Sequence, residues 1–220
     1  MIWEQLRSEA HYAAMLFRDL ESESSVRQRF LSLVEARQGF NIGRITGVFV
    51  EPAPFRDSWK RMNYSQRLDL VQRLLAWTQT GIEPKQITSL FKGGKGANSL
   101  RSPASWDMEE LCSLPPELLR LRFIFRARPD LLVITEKAAI WLELKVEGGT
   151  NARNAKGYYQ PETQKHIAEL APLVIPELDG LVPLNLIIRR HPGDPDNVIT
   201  WADLVPEWKS PILMQRAAWS

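Results

Sequence analysis

The chain has 220 residues, a formal net charge of +2 and 44% hydrophobic residues, which bounds it to one large or two small globular domains. No apolar run approaches the ~18 residues of a membrane span, and the single cysteine, Cys112, excludes an intrachain disulfide and a cysteine metal cluster. The start, Met1-Ile2-Trp3-Glu4, lacks a basic-then-apolar signal region, so cytoplasmic location is the expectation.

Residues 1–100 read as a mostly helical N-terminal region, with helical segments expected over 2–20, 24–37, 56–79 and 84–92. The short apolar stretch Ile45 to Val50 is a strand candidate, and Pro52-Ala53-Pro54 breaks the chain before the third helix. In that helix Leu68, Val71, Leu74 and Leu75 supply an apolar stripe, with Leu70 off to one side. Helix, Thr80-Gly81-Ile82, helix admits a helix-turn-helix, although a generic helical pack is favoured. DNA binding, dimerisation and partner binding all stay open for this region.

Residues 101–220 read as an α/β (α+β) domain. Ser105 to Cys112 is a short helix with Ser105 as its N-cap and Glu109 and Glu110 in its first turn. Leu121 to Ala127 reads as a strand, because Leu121, Phe123 and Phe125 alternate with Arg122, Ile124 and Arg126. Leu131 to Thr135 is almost continuously apolar, which suits a central strand covered on both faces. Glu136-Lys137-Ala138 is a hairpin connection. In the next strand Ile140, Leu142, Leu144 and Val146 take one face and Trp141, Glu143, Lys145 and Glu147 the other. A polar loop, Gly148 to Gly157, leads to a helix starting near Pro161 with Ile167, Leu170 and Ala171 as its apolar face. Val182 to Arg189 and Asn197 to Trp201 are the last two strands expected.

Chemistry concentrates at Pro129-Asp130 and Glu143-Leu144-Lys145. An antiparallel pair of strands would bring Asp130, at the start of one, beside Glu143, toward the end of the next. Glu143 and Lys145 share a face, roughly 7 Å apart along the strand. Two carboxylates suit a hard cation such as Mg2+, which keeps several waters and fills its shell from phosphate. Such a cation activates water and shields a phosphodiester. Lys145 can position the water or stabilise the charge of the transition state. A second match to the same pattern, Pro195-Asp196 with Glu207-Trp208-Lys209, lacks the strand context, since Pro206 precedes Glu207 and Asp196 lies in a Gly/Pro/Asp-rich loop.

These residues resemble the catalytic signature of the PD-(D/E)xK nuclease superfamily, over roughly residues 105–190. The resemblance implies a restriction-endonuclease-like mixed sheet flanked by helices, built as helix, three strands, helix and a further strand. It implies a metal-dependent DNA endonuclease with Mg2+ as cofactor and Mn2+ as substitute. Asp130, Glu143 and the Leu144 carbonyl would be metal ligands, and Lys145 catalytic. Relatives carry an acid on the helix before the first strand, for which Glu109 is preferred over Glu110, and a glutamine on the helix after the lysine strand, for which Gln164 and Gln160 are candidates. A homodimer or larger nucleoprotein assembly is expected where both DNA strands are cut. The main rival is a catalytically inactive nuclease-fold protein that binds nucleic acid or builds assemblies, and a second is a structural α/β domain whose Pro-Asp and Glu-x-Lys are accidental.

The distribution of charge agrees with DNA as a partner. No acid occurs from Pro84 to Trp106, where Lys92 and Lys95 flank glycines that let a backbone approach phosphate. Arg120, Arg122, Arg126 and Arg128 precede Asp130, and Arg153, Lys156 and Lys165 follow Lys145. Tyr158 and Tyr159 can stack on bases. His166 is expected to be a surface or partly packed histidine rather than a metal ligand.

Overall fold

A computed structural model describes residues 9–92, 100–111, 114–146, 160–192 and 197–208. Along the chain run α1 (Glu9–Glu21), α2 (Ser25–Gln38), β1 (Ile45–Val50), α3 (Pro54–Arg61), α4 (Tyr64–Thr78), α5 (Thr88–Phe91), α6 (Met108–Leu111), α7 (Pro116–Arg126), β2 (Leu131–Thr135), β3 (Ala138–Leu144), α8 (Gln160–Leu170), β4 (Val182–Arg189), β5 (Val198–Thr200) and α9 (Trp201–Leu204). The protein is mixed α/β. It forms two compact units that interleave along the sequence. The first comprises Met1–Pro52, Arg128–Ala152 and Gly180–Ser220, and the second Ala53–Ala127 and Arg153–Asp179.

The first unit is built on one five-stranded sheet in the order β1-β2-β3-β4-β5. β1–β2 and β2–β3 pair antiparallel, while β3–β4 and β4–β5 pair parallel. The β2–β3 connection is tight, as its sequence predicts, and Thr135 closes it: its hydroxyl donates to the Ile42 carbonyl at 2.6 Å and accepts from the Ala138 amide at 3.0 Å. The parallel step from β3 to β4 needs a crossover connection. One face of the sheet carries the core. Tyr12, Leu16 and Leu20 from α1 and Phe30 and Val34 from α2, at helical spacing, pack with Ile140, Leu142 and Leu144 of β3 and Leu186 and Ile188 of β4. β3 is buried along its whole length on both faces, which explains its position at the centre of the order.

The second unit is helical. Phe125 on α7 packs against Phe55 at 5.4 Å and edge-on against Trp59 at 5.6 Å, both from α3. The predicted 56–79 helix divides into α3 and α4 at Asn63, whose side chain accepts from the Gln66 amide while the Gln66 side chain accepts from the Asn63 amide. Within α4, Leu70 is buried and Leu68 only half-buried, the reverse of the expected stripe. The segment after Thr80-Gly81-Ile82 is a 3-10 turn followed by the one-turn α5, too short to lie along a major groove as a recognition helix.

Two sequence expectations are corrected here. Leu121 to Ala127 is not a strand: Leu121 to Arg126 form the second half of α7, and Ala127 is its C-cap. Its apolar residues fit either period, and the buried set Leu118, Leu121, Ile124 and Phe125 is the helical one, started by Pro116 in the first turn. The third antiparallel strand is instead Ile45–Val50, far upstream. The expected helix Ser105 to Cys112 is reduced to a 3-10 turn, Pro103–Ser105, capped by Ser102, and the single-turn α6.

Candidate functional site

Asp130 is held at the entrance to β2 by backbone bonds on both sides. Its amide donates to the Leu142 carbonyl at 3.1 Å, and its carbonyl accepts from the Glu51 amide at 2.9 Å. The β2–β3 register pairs Leu131 with Leu142, so the next step of the antiparallel ladder sets Asp130 opposite Glu143. The side chain then turns to β3, where Oδ2 accepts from the Leu144 amide at 2.6 Å.

Glu143 and Lys145 project from the face of β3 opposite the core. Glu143 is only 4% exposed. Its Oε1 accepts from Lys145 Nζ at 2.5 Å, a hydrogen bond between opposite charges. Lys145 extends the β3–β4 ladder, its amide donating to the Ile188 carbonyl at 2.8 Å. Its own carbonyl accepts from Trp201 Nε1 at 2.9 Å. Trp201 is fully buried at the start of α9, so the end of β3 is fixed from two directions.

The structure therefore brings Asp130, Glu143, Leu144 and Lys145 together within one unit. The N–H of Leu144 points to the edge occupied by the Asp130 carboxylate, and in an extended strand the C=O of the same residue leaves on that same edge. Two carboxylates and a main-chain carbonyl are the donor chemistry that suits a hard divalent cation. Among the described residues no group of three or more His, Cys, Asp and Glu side chains converges, so a cation here would depend on water and substrate oxygens for the rest of its shell.

The other candidates are placed differently. Glu109 is exposed on α6, in the helical unit. Its neighbour Glu110 accepts from Arg101 Nη1 at 3.0–3.1 Å through both oxygens. Because β1 is the first strand, the helix preceding it is α2. Its Glu35 accepts from the Asn41 side chain and the Ile42 amide and so shapes the turn into β1. Gln164 is 4% exposed on α8, whereas the side chain of Gln160 is not among those described. Lys92, Arg126 and Arg128 are exposed. Lys95, Arg153, Lys156 and Tyr158 lie outside the described residues, as does Tyr159.

Arg126 gains a neighbour from the correction of its secondary structure. On α7, Arg122 and Arg126 are four apart and share a face. Arg122 Nε donates to the Trp106 carbonyl at 2.7 Å. Burial first, and then the like charge of Arg126, lowers the Arg122 pKa. His166 packs edge-on against Trp77 at 4.8 Å. Burial is the largest influence on it and lowers its pKa, which agrees with a partly packed ring.

The second sequence match is put to structural use at its Glu207. That carboxylate accepts from Arg29 Nη1 at 2.9 Å and from the Ser25 hydroxyl at 3.4 Å, so it pins the segment after α9 to α2. Sequence reasoning missed Arg189 and Trp201 as neighbours of the β3 end, because only the parallel β3–β4 register and the long-range Trp201–Lys145 bond reveal them. Comparison with family models, curated proteins and solved structures finds no match for this chain.

Proposed function

We propose that the protein is a metal-dependent DNA endonuclease with a restriction-endonuclease-like core. The observation that carries this reading is the junction of β2 and β3: an aspartate at the start of one strand bonds the amide that lies between a glutamate and a lysine on the next. The order of elements also supports it. With the residues between β1 and β2 set aside, the chain runs helix α2, three antiparallel strands, helix α8 and the parallel strand β4. That is the sequence of elements the resemblance implies.

In this reading Asp130, Glu143 and the Leu144 carbonyl hold Mg2+, with Mn2+ as substitute. Bound there, the ion would supply the charge that shields the phosphodiester and favours ionisation of the attacking water. Glu143 keeps the Lys145 ammonium aimed, since their bond leaves the flexible side chain little freedom. Lys145 orients the water or stabilises the extra negative charge of the transition state, a contribution of roughly 10²–10³-fold for one well-placed donor. In-line attack forms the new P–O bond from water and breaks the bond to the 3′ oxygen, leaving a 5′-phosphate and a 3′-hydroxyl.

The test is incubation of the protein with plasmid, linear, single-stranded and branched DNA in Mg2+, Mn2+ and EDTA, beside Lys145→Ala. Cleavage of at least one substrate with metal, abolished by EDTA and strongly reduced in the variant, is the expected result. Binding without cleavage of any substrate would replace this reading with that of a nuclease-fold binding protein.

A further inference from the structure

The sheet offers a second cationic element at the same end. β3, β4 and β5 run parallel, so their carboxyl ends lie along one edge. In open sheets of this kind ligands bind outside the carboxyl ends of the strands. Lys145 follows the end of β3, and Arg189 is the last residue of β4.

Register and side-chain alternation place Arg189 with the site. Glu143 pairs with Ile187 and Leu144 with Ile188, so the next step sets Lys145 beside Arg189. Leu184, Leu186 and Ile188 belong to the core face of β4. Asn185, Ile187 and Arg189 therefore share the opposite face, the one that carries Glu143 and Lys145. Adjacent strands are about 4.8 Å apart, so the two residues are immediate neighbours across the ladder.

Arg189 is also held in place. Its Nε donates to the His191 carbonyl and its Nη2 to the Pro192 carbonyl, both at 3.0 Å. These bonds use two of the five N–H groups of a guanidinium. No carboxylate lies within ion-pair distance of Arg189 or of the following Arg190 among the described residues. Arg190 donates instead to the Val146 carbonyl at 3.3 Å, and its buried Nε has no partner among the described residues. The end of the sheet thus carries two arginines tied down by carbonyls and not neutralised by those residues.

We infer that Arg189 binds a backbone phosphate of a nucleic-acid strand, next to the phosphodiester addressed by Asp130, Glu143 and Lys145. A pre-oriented guanidinium matches phosphate oxygens better than a flexible ammonium does. This role rests on the endonuclease reading for its position in the reaction, but the contact itself is independent of turnover.

The test measures binding of a labelled DNA duplex in EDTA across a salt series, for wild type, Arg189→Gln and Arg189→Lys. Glutamine keeps amide donors for the two carbonyls and removes the charge, and lysine restores the charge should glutamine loosen the strand end. Loss of one phosphate contact makes the slope of log K against log salt less steep by about 0.9, equally on unrelated sequences. That change in Arg189→Gln, with recovery of the slope in Arg189→Lys, is the expected result. An unchanged slope and affinity in Arg189→Gln overturns the inference, as does absence of nucleic-acid binding by the wild type. Competition by inorganic phosphate that depends on Arg189, with an unchanged DNA slope, also overturns it, since the site would then take free phosphate. If the wild type binds but never cleaves, the slope change still upholds the contact while the endonuclease reading falls.

Discussion

Asp130 and Leu144 are joined by a 2.6 Å hydrogen bond from main-chain amide to carboxylate, and this bond ties the start of β2 to the end of β3. It separates two roles of the aspartate that substitution can tell apart. Asp130→Asn retains an acceptor oxygen for the amide and loses the charge. Cleavage should fall by at least about 100-fold, with unfolding free energy changed by about 1 kcal/mol or less. Asp130→Ala loses both, and the orphaned amide should cost about 1–3 kcal/mol. Urea denaturation of the two variants beside a cleavage assay checks the split.

Lys145→Met keeps the unbranched stem, one atom shorter, and removes the ammonium that Glu143 binds at 2.5 Å. Loss of a charge-assisted bond to a carboxylate only 6% exposed should cost about 1.5–3 kcal/mol. Cleavage should fall by roughly 10²–10³-fold. A variant as stable and as active as the wild type would remove Lys145 from the mechanism.

Metal should stabilise the folded chain even without DNA. At a Mg2+ concentration of about 100 times its dissociation constant, linkage gives about 2.7 kcal/mol. Thermal melts with Mg2+ and with EDTA measure this. The combined Asp130→Asn and Glu143→Gln variant should show no difference between the two conditions.

His166 gives the helical unit a pH dependence. Burial is the largest cause of its lowered pKa, and the nearby Glu162 and Glu169 oppose the shift only in part. The unfolded chain, with the ordinary value near 6.5, then binds a proton at a higher pH than the folded chain does. Its contribution is full above about pH 6.5 and is lost as pH falls through the folded value. The urea midpoint should drop between about pH 7.5 and 5.5, and part of that drop should vanish in His166→Phe, which keeps a ring against Trp77.

Phe125→Ala tests the helical assignment of α7 and its packing. The ring sits between Phe55 and Trp59 and is 1% exposed. Its loss should cost about 3–5 kcal/mol. Phe123, half-exposed on the same helix, should tolerate alanine with much less loss. A strand with Leu121, Phe123 and Phe125 on one face would instead make the two substitutions similar.

What the sequence revealed depended on how local the information was. β2, β3 and β4 were legible because their apolar patterns are clear, and the Asp130–Glu143 crossing follows from the short β2–β3 hairpin alone. The face shared by Glu143 and Lys145 followed from the period of two. α7 misled because Leu118, Leu121, Ile124 and Phe125 satisfy the helical period while Leu121, Phe123 and Phe125 satisfy the strand period. Only packing against Phe55 and Trp59 decides between them. Pairing of Val50 with Leu131 left no local trace, so the acid expected on the helix before the first strand was sought at Glu109 instead of on α2. Arg189 was hidden for the same reason: its neighbour Lys145 is reached only through a crossover connection.

The gap between β1 and β2 has a consequence for synthesis. A ribosome releases Ile45–Val50 well before Leu131–Thr135, the strand it must join, so nascent β1 waits unpaired with Phe49 and Val50, which stay solvent-exposed even in the native protein. Unpaired strands of this kind invite association between chains. The end of β3 is not fixed until β4 has emerged and its Ile188 carbonyl accepts from the Lys145 amide. Interrupted translation therefore yields fragments that expose an unpaired strand.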